Sequence, residues 1–445
     1  MKKRVLALVM STAMIASVLT ACGGGSNSTP AADSNTGTTD ANTTTEAEAS
    51  TEAATEEKPD LGGAPAADEV VVWVADNVTD FTKEKLAEFQ EANPDYAGFS
   101  VRVESVGEGD AANNMITDVE GGADIYAFAQ DQLARLVSAG AISPITGDYA
   151  TFVNEQNDAG AAAAATVGGM VYAFPITSDN GYFLYYDKSV IKDPTSLDAI
   201  IADCEAAGKN FYMEINSGWY QPAFFFGAGC TLTYDADDAG NFTACNIDYA
   251  SDNGLAALKA IINLKKSSSF QNGSSANTAT NYAAIVDGTW DKDTIKSVFG
   301  DNYACAKLPT FTAGDAQKQL GGFGGFKLMG VKPQTDATKL QACLAMAQFL
   351  SNEETQLARF DAVGWGPSNV AAQQSDAVKA DEALSALAEQ LACTIPQGQY
   401  PNDYWSLATS LGDSIISGDY DNATDDELMA VLEDFQATCK SYAGQ

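Results

Sequence analysis

The stretch 168–191, GGMVYAFPITSDNGYFLYYDKSVI, constrains the chain more than any other. Residues 171–176 form a compact run of apolar, β-branched and aromatic side chains, and 182–186 (YFLYY) form a second strand-like run. Between them, 177–181 (TSDNG) carries turn chemistry: Asn and Gly tolerate positive φ, and Ser and Asp bond their own backbone. Two arrangements satisfy this pattern. A hairpin keeps both strands in one sheet, whereas a crossing takes the chain out of one sheet and into another. These residues alone do not choose between them.

The rest of the chain favours the crossing. Residues 69–445 are too many for one ordinary core, so two lobes are expected. Residues 69–75 (EVVVWVA) read as a strand buried on both faces, as in a parallel sheet, followed by a helix over 82–92 that stops at Asn93-Pro94. Strands over 99–106 and 121–128 alternate with helices over 113–119 and 131–139, which predicts an α/β lobe. Further on, 196–207, 252–265 and 340–350 have helical apolar faces, while 211–215, 282–286 and 303–311 read as strands. The segment 321–330 (GGFGGFKLMG) lacks the Lys-Ser/Thr of a phosphate loop and reads as a return crossing, its glycines absorbing backbone bending. Capping boxes are predicted at Ser351/Glu354 and Thr424/Glu427, and a helix over 403–418 turns Trp405 about 100° away from its core face.

Composition excludes several chemistries. The chain has no His, which removes histidine-based zinc sites, Ser-His-Asp triads and Cys-His dyads. Its formal charge of −36 comes without a basic patch, so nucleic acid is not a partner. The acidic stretches 235–240 and 419–426 lack the twelfth-position carboxylate of a calcium loop, and neither a metal nor a cofactor is expected. Cys204, Cys343, Cys393 and Cys439 sit on or beside apolar helical stripes and are read as small core hydrophobes. Cys230 and Cys245 differ. In a hairpin whose loop is 236–239 they face each other, and opposed Cβ atoms about 4.5–5.5 Å apart approach the reach of a disulfide.

The amino terminus reads as a secretion signal over 1–21: Lys2, Lys3 and Arg4, then an apolar core over 5–18 that is short for a membrane span. The closing Leu19-Thr20-Ala21-Cys22 resembles the lipobox of bacterial lipoproteins, which implies acylation of Cys22. The other reading is a soluble secreted protein with an incidental Cys. Residues 22–68 are rich in Gly, Ser, Thr, Asn, Ala and Glu and cannot bury enough apolar surface to fold, so a disordered, lipid-anchored linker is expected.

Several blocks, in order, resemble the extracellular solute-binding proteins (family 1) of ABC importers, the group that includes the maltose-binding protein. They are 122–146 (GADIYAFAQDQLARLVSAGAISPIT), 171–188 with its aromatic-Pro-Ile and Tyr-Asp-Lys, 286–290 (VDGTW), 308–311 (LPTF), 365–369 (WGPSN) and 400–405 (YPNDYW). The resemblance covers essentially all of 69–445. It implies an α/β, two-lobed periplasmic-binding-protein-like fold (type II), with a ligand cleft between lobes joined by hinge crossings near 177–181, 321–325 and 373–378. Lobe one would comprise about 69–178 and 324–374, and lobe two about 179–323 and 375–445. The implied function is capture of a carbohydrate, an oligosaccharide, by hinge closure, and delivery to ABC permease subunits by a monomer anchored at the outer face of the cell membrane.

The resemblance also carries site residues. Phe128 stands where the family has an aromatic platform and Asp131 where it has a sugar-binding carboxylate. Gln132 replaces an Arg, which counts against maltose itself. Asp179 takes the place of a hinge Glu, Trp219 and Tyr220 lie near an aromatic contact, and Trp290 and Trp405 match two family tryptophans; Trp365 reads equally as core or cleft. Flat aromatics cover the C–H face of a sugar, and Asp, Asn and Gln satisfy its hydroxyl edge. Other functions remain in view: a binding protein for a peptide or amino acid, a surface adhesin, or a glycoside hydrolase that would use two carboxylates about 5–10 Å apart, such as Asp131 and Asp179.

Overall fold

The computed structural model describes residues 65–444. The signal, Cys22 and most of the linker lie outside the described residues.

Two sheets organise two lobes. In lobe one, Glu69–Val74 pairs in parallel with Ser100–Ser105 on one side and Ile125–Ala129 on the other. Five of the six residues of Glu69–Val74 are buried, as its run of Val and Trp requires of a strand covered on both faces. Phe323–Val331 then runs antiparallel to both Ile125–Ala129 and Ala173–Gly181. The core of this lobe includes Leu86, Phe89, Tyr126, Phe174, Met346 and Leu350. In lobe two, the strands run in the order Phe270–Gln271, Asn210–Tyr212, Tyr282–Asp287, Phe183–Asp187 and Tyr303–Ala306. Its larger core joins Phe224, Phe225, Tyr249 and Leu258 to Leu432 and Phe435 of the carboxy-terminal helix Asp425–Ser441.

The chain crosses between sheets at 181–183. Ala173–Gly181 belongs to the lobe-one sheet and Phe183–Asp187 to the lobe-two sheet, with Tyr182 alone between them. The hairpin alternative is therefore not taken. The turn chemistry of 177–181 is not used as a turn either: these residues continue the strand, paired through Thr177, Asn180 and Gly181 to Phe323–Val331. Tertiary pairing overrides the local preference. The returning strand and the short strand Ile395–Pro396 pair side by side at Phe323↔Ile395, so both lie next to the first crossing.

Local signals hold in most places. Thr424 and Glu427 form the reciprocal box, and Gly418 ends the helix Asn402–Ser417 at φ 86°, a left-handed conformation suited to Gly. The other cap shifts by one residue: Asn352, not Ser351, accepts from the Thr355 amide at 2.8 Å. The single strand expected over 303–311 is two, Tyr303–Ala306 and Thr310–Ala313, separated at Pro309, which has no N–H to give a ladder.

The cysteine expectations divide. Cys204, Cys343 and Cys439 are buried at 0% exposure, but Cys393 lies past the end of the helix Glu382–Leu391 and is only partly buried. The Cys230–Cys245 disulfide is not formed. The hairpin loop is 237–241 and not 236–239, so Phe242 already pairs with Ala236, and a bulge between Phe242 and Ala244 adds one more residue of shift; Cys245 therefore faces Tyr234, and Cys230 lies before the strand Leu232–Ala236. Both thiols are free.

Candidate functional site

A cavity of about 710 Å³ opens between the lobes. Its lobe-one wall begins where Ile125–Ala129 ends and the chain turns through Gln130–Gln132. Side chains alternate along a strand, so Phe128 points into the core at 0% exposure while Ala129 lines the cavity. Phe128 is therefore a core residue, not a platform.

Asp131 and Gln132 do line the cavity. Asp131 Oδ1 accepts from Gln397 Nε2 at 2.8 Å, and Gln397 Oε1 accepts from Asn180 Nδ2 at 3.2 Å. This chain of amides ties lobe one, the first crossing and the loop after Ile395–Pro396 into one polar floor. Burial pushes the Asp131 carboxyl up to about 7, against the pull of the nearby Arg135 charge. Gln132 holds the rim: its Oε1 accepts from the Ala112 amide at 3.2 Å, and its Nε2 donates to the Gly109 carbonyl at 2.9 Å.

Lobe two supplies the aromatic wall: Trp219, Tyr220, Trp290 and Trp405 all line the cavity. Trp219 stacks on Phe323 with centroids 5.3 Å apart, and its carbonyl accepts from Tyr182 Oη at 3.0 Å, which locks it to the crossing. Trp405 is wedged against Tyr400 and Tyr404, and Gly218 leaves room for it: a Cβ there would lie 3.1 Å from its ring. Trp290 folds back over Gly288, where a Cβ would overlap the ring at 2.1 Å. All three tryptophans are only partly buried, so ring surface is left for a ligand.

Trp365 also lines the cavity but is more deeply buried than these three. It is 2% exposed, and Lys327 Nζ sits 3.6 Å from its ring centroid. Asp179 is not in the cavity wall. Its Oδ2 accepts from Thr289 Oγ1 and from the Gly366 amide, both at 2.6 Å, so it clasps a lobe-two turn to a lobe-one loop. Asp131 and Asp179 thus do not form a carboxylate pair across the cleft. The cleft residue at this crossing is Asn180, again one place along an alternating strand.

Other cavity residues carry little or no signal in the sequence. Gln397 lies in a loop of mixed polarity, Asn277 sits in a turn, and Asp291 ends the short helix Thr289–Asp291. Lys327 is the exception: it is a single charge in the Gly-rich and apolar run Phe323–Val331, where it is 5% exposed. A buried Lys inside such a strand needs a partner or a purpose.

A second cavity of about 570 Å³ lies wholly in lobe two, bordered by the helices Leu197–Ala207 and Asp252–Lys265 and lined by Leu197, Ile201, Leu255 and Phe311. It lacks the facing aromatic and amide walls of the first. Among the described residues there is no cluster of three His, Cys, Asp or Glu suited to a metal ion, and no helix is long and apolar enough to cross a membrane.

Solved structures share this architecture. A chain solved with acarbose is similar at 29% identity and TM-score 0.75, over 84% of this chain and 99% of that one. A maltodextrin-binding protein from L. casei BL23, solved without ligand, matches at 23% identity and TM-score 0.69 over 84% and 99% of the two chains. The Thermus thermophilus maltotriose-binding protein, bound with maltotriose, matches at 19% identity and TM-score 0.67 over the same shares. No curated protein sequence matches the chain. Residues 84–386 match the family model for the bacterial extracellular solute-binding protein, and the chain belongs to that family.

Proposed function

We propose that this chain is the carbohydrate-capturing subunit of an ABC importer. The observation that carries the reading is the pairing of walls in the 710 Å³ cleft: partly exposed tryptophans on lobe two face a floor made by Asp131 of lobe one with the hinge-side amides of Asn180 and Gln397. That division matches the apolar face and hydroxyl edge of a sugar ring. Similar chains have been solved with acarbose and with maltotriose, which supports an oligosaccharide as the ligand class. The ligand-contacting set is Asp131, Gln132, Asn180, Trp219, Tyr220, Trp290, Gln397 and Trp405, while Trp365 acts through Lys327. A ligand touching both walls favours the closed arrangement and so drives hinge closure.

The remaining parts of the reading rest on the sequence. Cleavage before Cys22 and its acylation anchor a monomer to the outer face of the membrane, and residues 22–68 tether it within reach of the permease. Lobe one comprises about 69–181 and 323–374, and lobe two about 183–322 and 375–445, with the first boundary at Tyr182 and not at 178. The protein delivers its ligand unchanged. A thermal-shift screen of the full-length chain against sugars, peptides and amino acids tests this: a ligand that binds the folded state raises the melting temperature. Stabilisation by peptides or amino acids with none by saccharides refutes it.

A further inference from the structure

Lys327 is buried, charged and without a hydrogen bond to the protein among the described residues. It lines the cleft. Its Nζ lies 3.6 Å from the Trp365 ring centroid and 5.4 Å from that of Trp290, and its nearest carboxylate oxygen, Glu108 Oε1, is 3.9 Å away. That distance is too long for a hydrogen bond, and Glu108 Oε1 is itself buried without a hydrogen-bond partner. An ammonium held by a ring face is held by the ring quadrupole, which does not use up its directed N–H donors. A close carboxylate would have used them. The protein thus holds a cation in the cleft with its N–H donors unspent, next to an acceptor whose capacity is also unspent.

The rest of the cleft limits what those donors can meet. Asp76, Glu108, Asp110 and Asp291 line the same cavity, against Lys327 as the sole Lys or Arg among its described lining residues. An anionic ligand would enter a field of the same sign. A neutral polyol would not, and its hydroxyls both accept and donate. One accepts from the ammonium and a neighbour donates to Glu108.

Resting on the carbohydrate reading above, we propose that Lys327, positioned by Trp365, is the residue that selects uncharged saccharides. It donates hydrogen bonds to ligand hydroxyls at the hinge end of the cleft, while the surrounding carboxylates turn away uronic acids.

Lys327→Met tests this, because Met keeps the length of the side chain and still packs on Trp365. The full-length wild type and variant are titrated calorimetrically with maltotriose, xylotriose, cellotriose and mannotriose as neutral probes and trigalacturonate as the anionic one. Melting temperatures of the ligand-free proteins are measured alongside. The wild type is expected to bind at least one neutral trisaccharide and not trigalacturonate, and the variant to lose about tenfold or more in that affinity. The ligand-free variant is expected to melt at or above the wild type, since an ammonium with no hydrogen bond is costly to bury. A purely structural Lys327 would give the opposite sign. Equal affinity in wild type and variant, or a lower melting temperature in the variant, overturns the role of Lys327. A wild type that binds trigalacturonate alone overturns the selection of neutral ligands and leaves the carbohydrate reading standing. A wild type that binds none of the five saccharides overturns both.

Discussion

Asp179→Ala should separate the two lobes energetically. The carboxylate is 2% exposed and accepts two hydrogen bonds of 2.6 Å, one from Thr289 Oγ1 in lobe two and one from the Gly366 amide in lobe one. Hydrogen bonds to a charged group contribute about 1.5–3 kcal/mol each, so about 3–6 kcal/mol is at stake before compensation. Removing a buried charge returns part of this. The loss is not fully offset, because the Gly366 amide and the Thr289 hydroxyl stay behind, as does Arg359, a buried guanidinium that Asp179 helps to keep charged. A net loss of about 2–4 kcal/mol is expected. For a folded region of this size the unfolding entropy is about 0.8 kcal/mol per kelvin, which converts the loss to a fall of roughly 3–5 °C. Thr289→Val removes only one of the two bonds and should cost less. The double variant should show a coupling energy of about 1–3 kcal/mol, because the two groups share one contact. Thermal and urea melts of the four proteins supply the cycle. Additive effects, or an Asp179→Ala variant that melts within a degree of wild type, would refute the clasp.

Asp131 makes stability depend on pH. Its folded carboxyl titrates near 7, above the ordinary value of 3.8, so its contribution is fully present below about pH 4 and is lost as pH rises towards and through 7. Wild type should therefore lose more stability than Asp131→Asn between pH 5 and pH 8, as read by urea midpoints; equal losses would count against the assignment. Trp290→Ala and Trp405→Ala should each weaken saccharide binding by about 1 kcal/mol or more without unfolding the protein, as read by calorimetry and circular dichroism. Normal binding by both would remove the aromatic wall from the site. Peptide mapping of air-exposed protein without reduction should recover Cys230 and Cys245 as free thiols, and a linked peptide would contradict the bulged register.

Much of the fold was legible because it rests on patterns of burial. The double-sided apolar run of Glu69–Val74 has only one comfortable place, inside a parallel sheet. The crossing at 181–183 was legible only as one of two options, because pairing with Phe323–Val331, far away in sequence, decides it. The site was harder to read, and the errors share a cause. Phe128 and Asp179 each stand one residue from a cavity-lining position, Ala129 and Asn180. In a strand that single step exchanges core for cleft, and no local preference records which face looks out. Gln397 and Asn277 are invisible for another reason: polar residues in loops are common, and only the assembled floor distinguishes these. Lys327 is a lone charge in an apolar run and was not singled out, because its meaning depends on two rings distant from it in sequence.

Tyr182 as the sole residue between two sheets has a mechanical consequence. A one-residue connector has no slack. The lobes cannot slide past one another or drift apart on a loose leash; they can only swing, and the neighbouring strands at Phe323 and Ile395 act as further pins along the same axle. The same tightness makes the joint intolerant of length changes. Inserting one residue at 182 would turn every side chain of Phe183–Asp187 to the opposite face, exchanging Leu184, which packs in the larger lobe-two core, with Phe183 and Tyr185, which pack in a separate cluster on the other side. The number of residues there fixes the alignment of the lobes, and the buried Tyr182 side chain, packed on Trp219 and Tyr220, holds it.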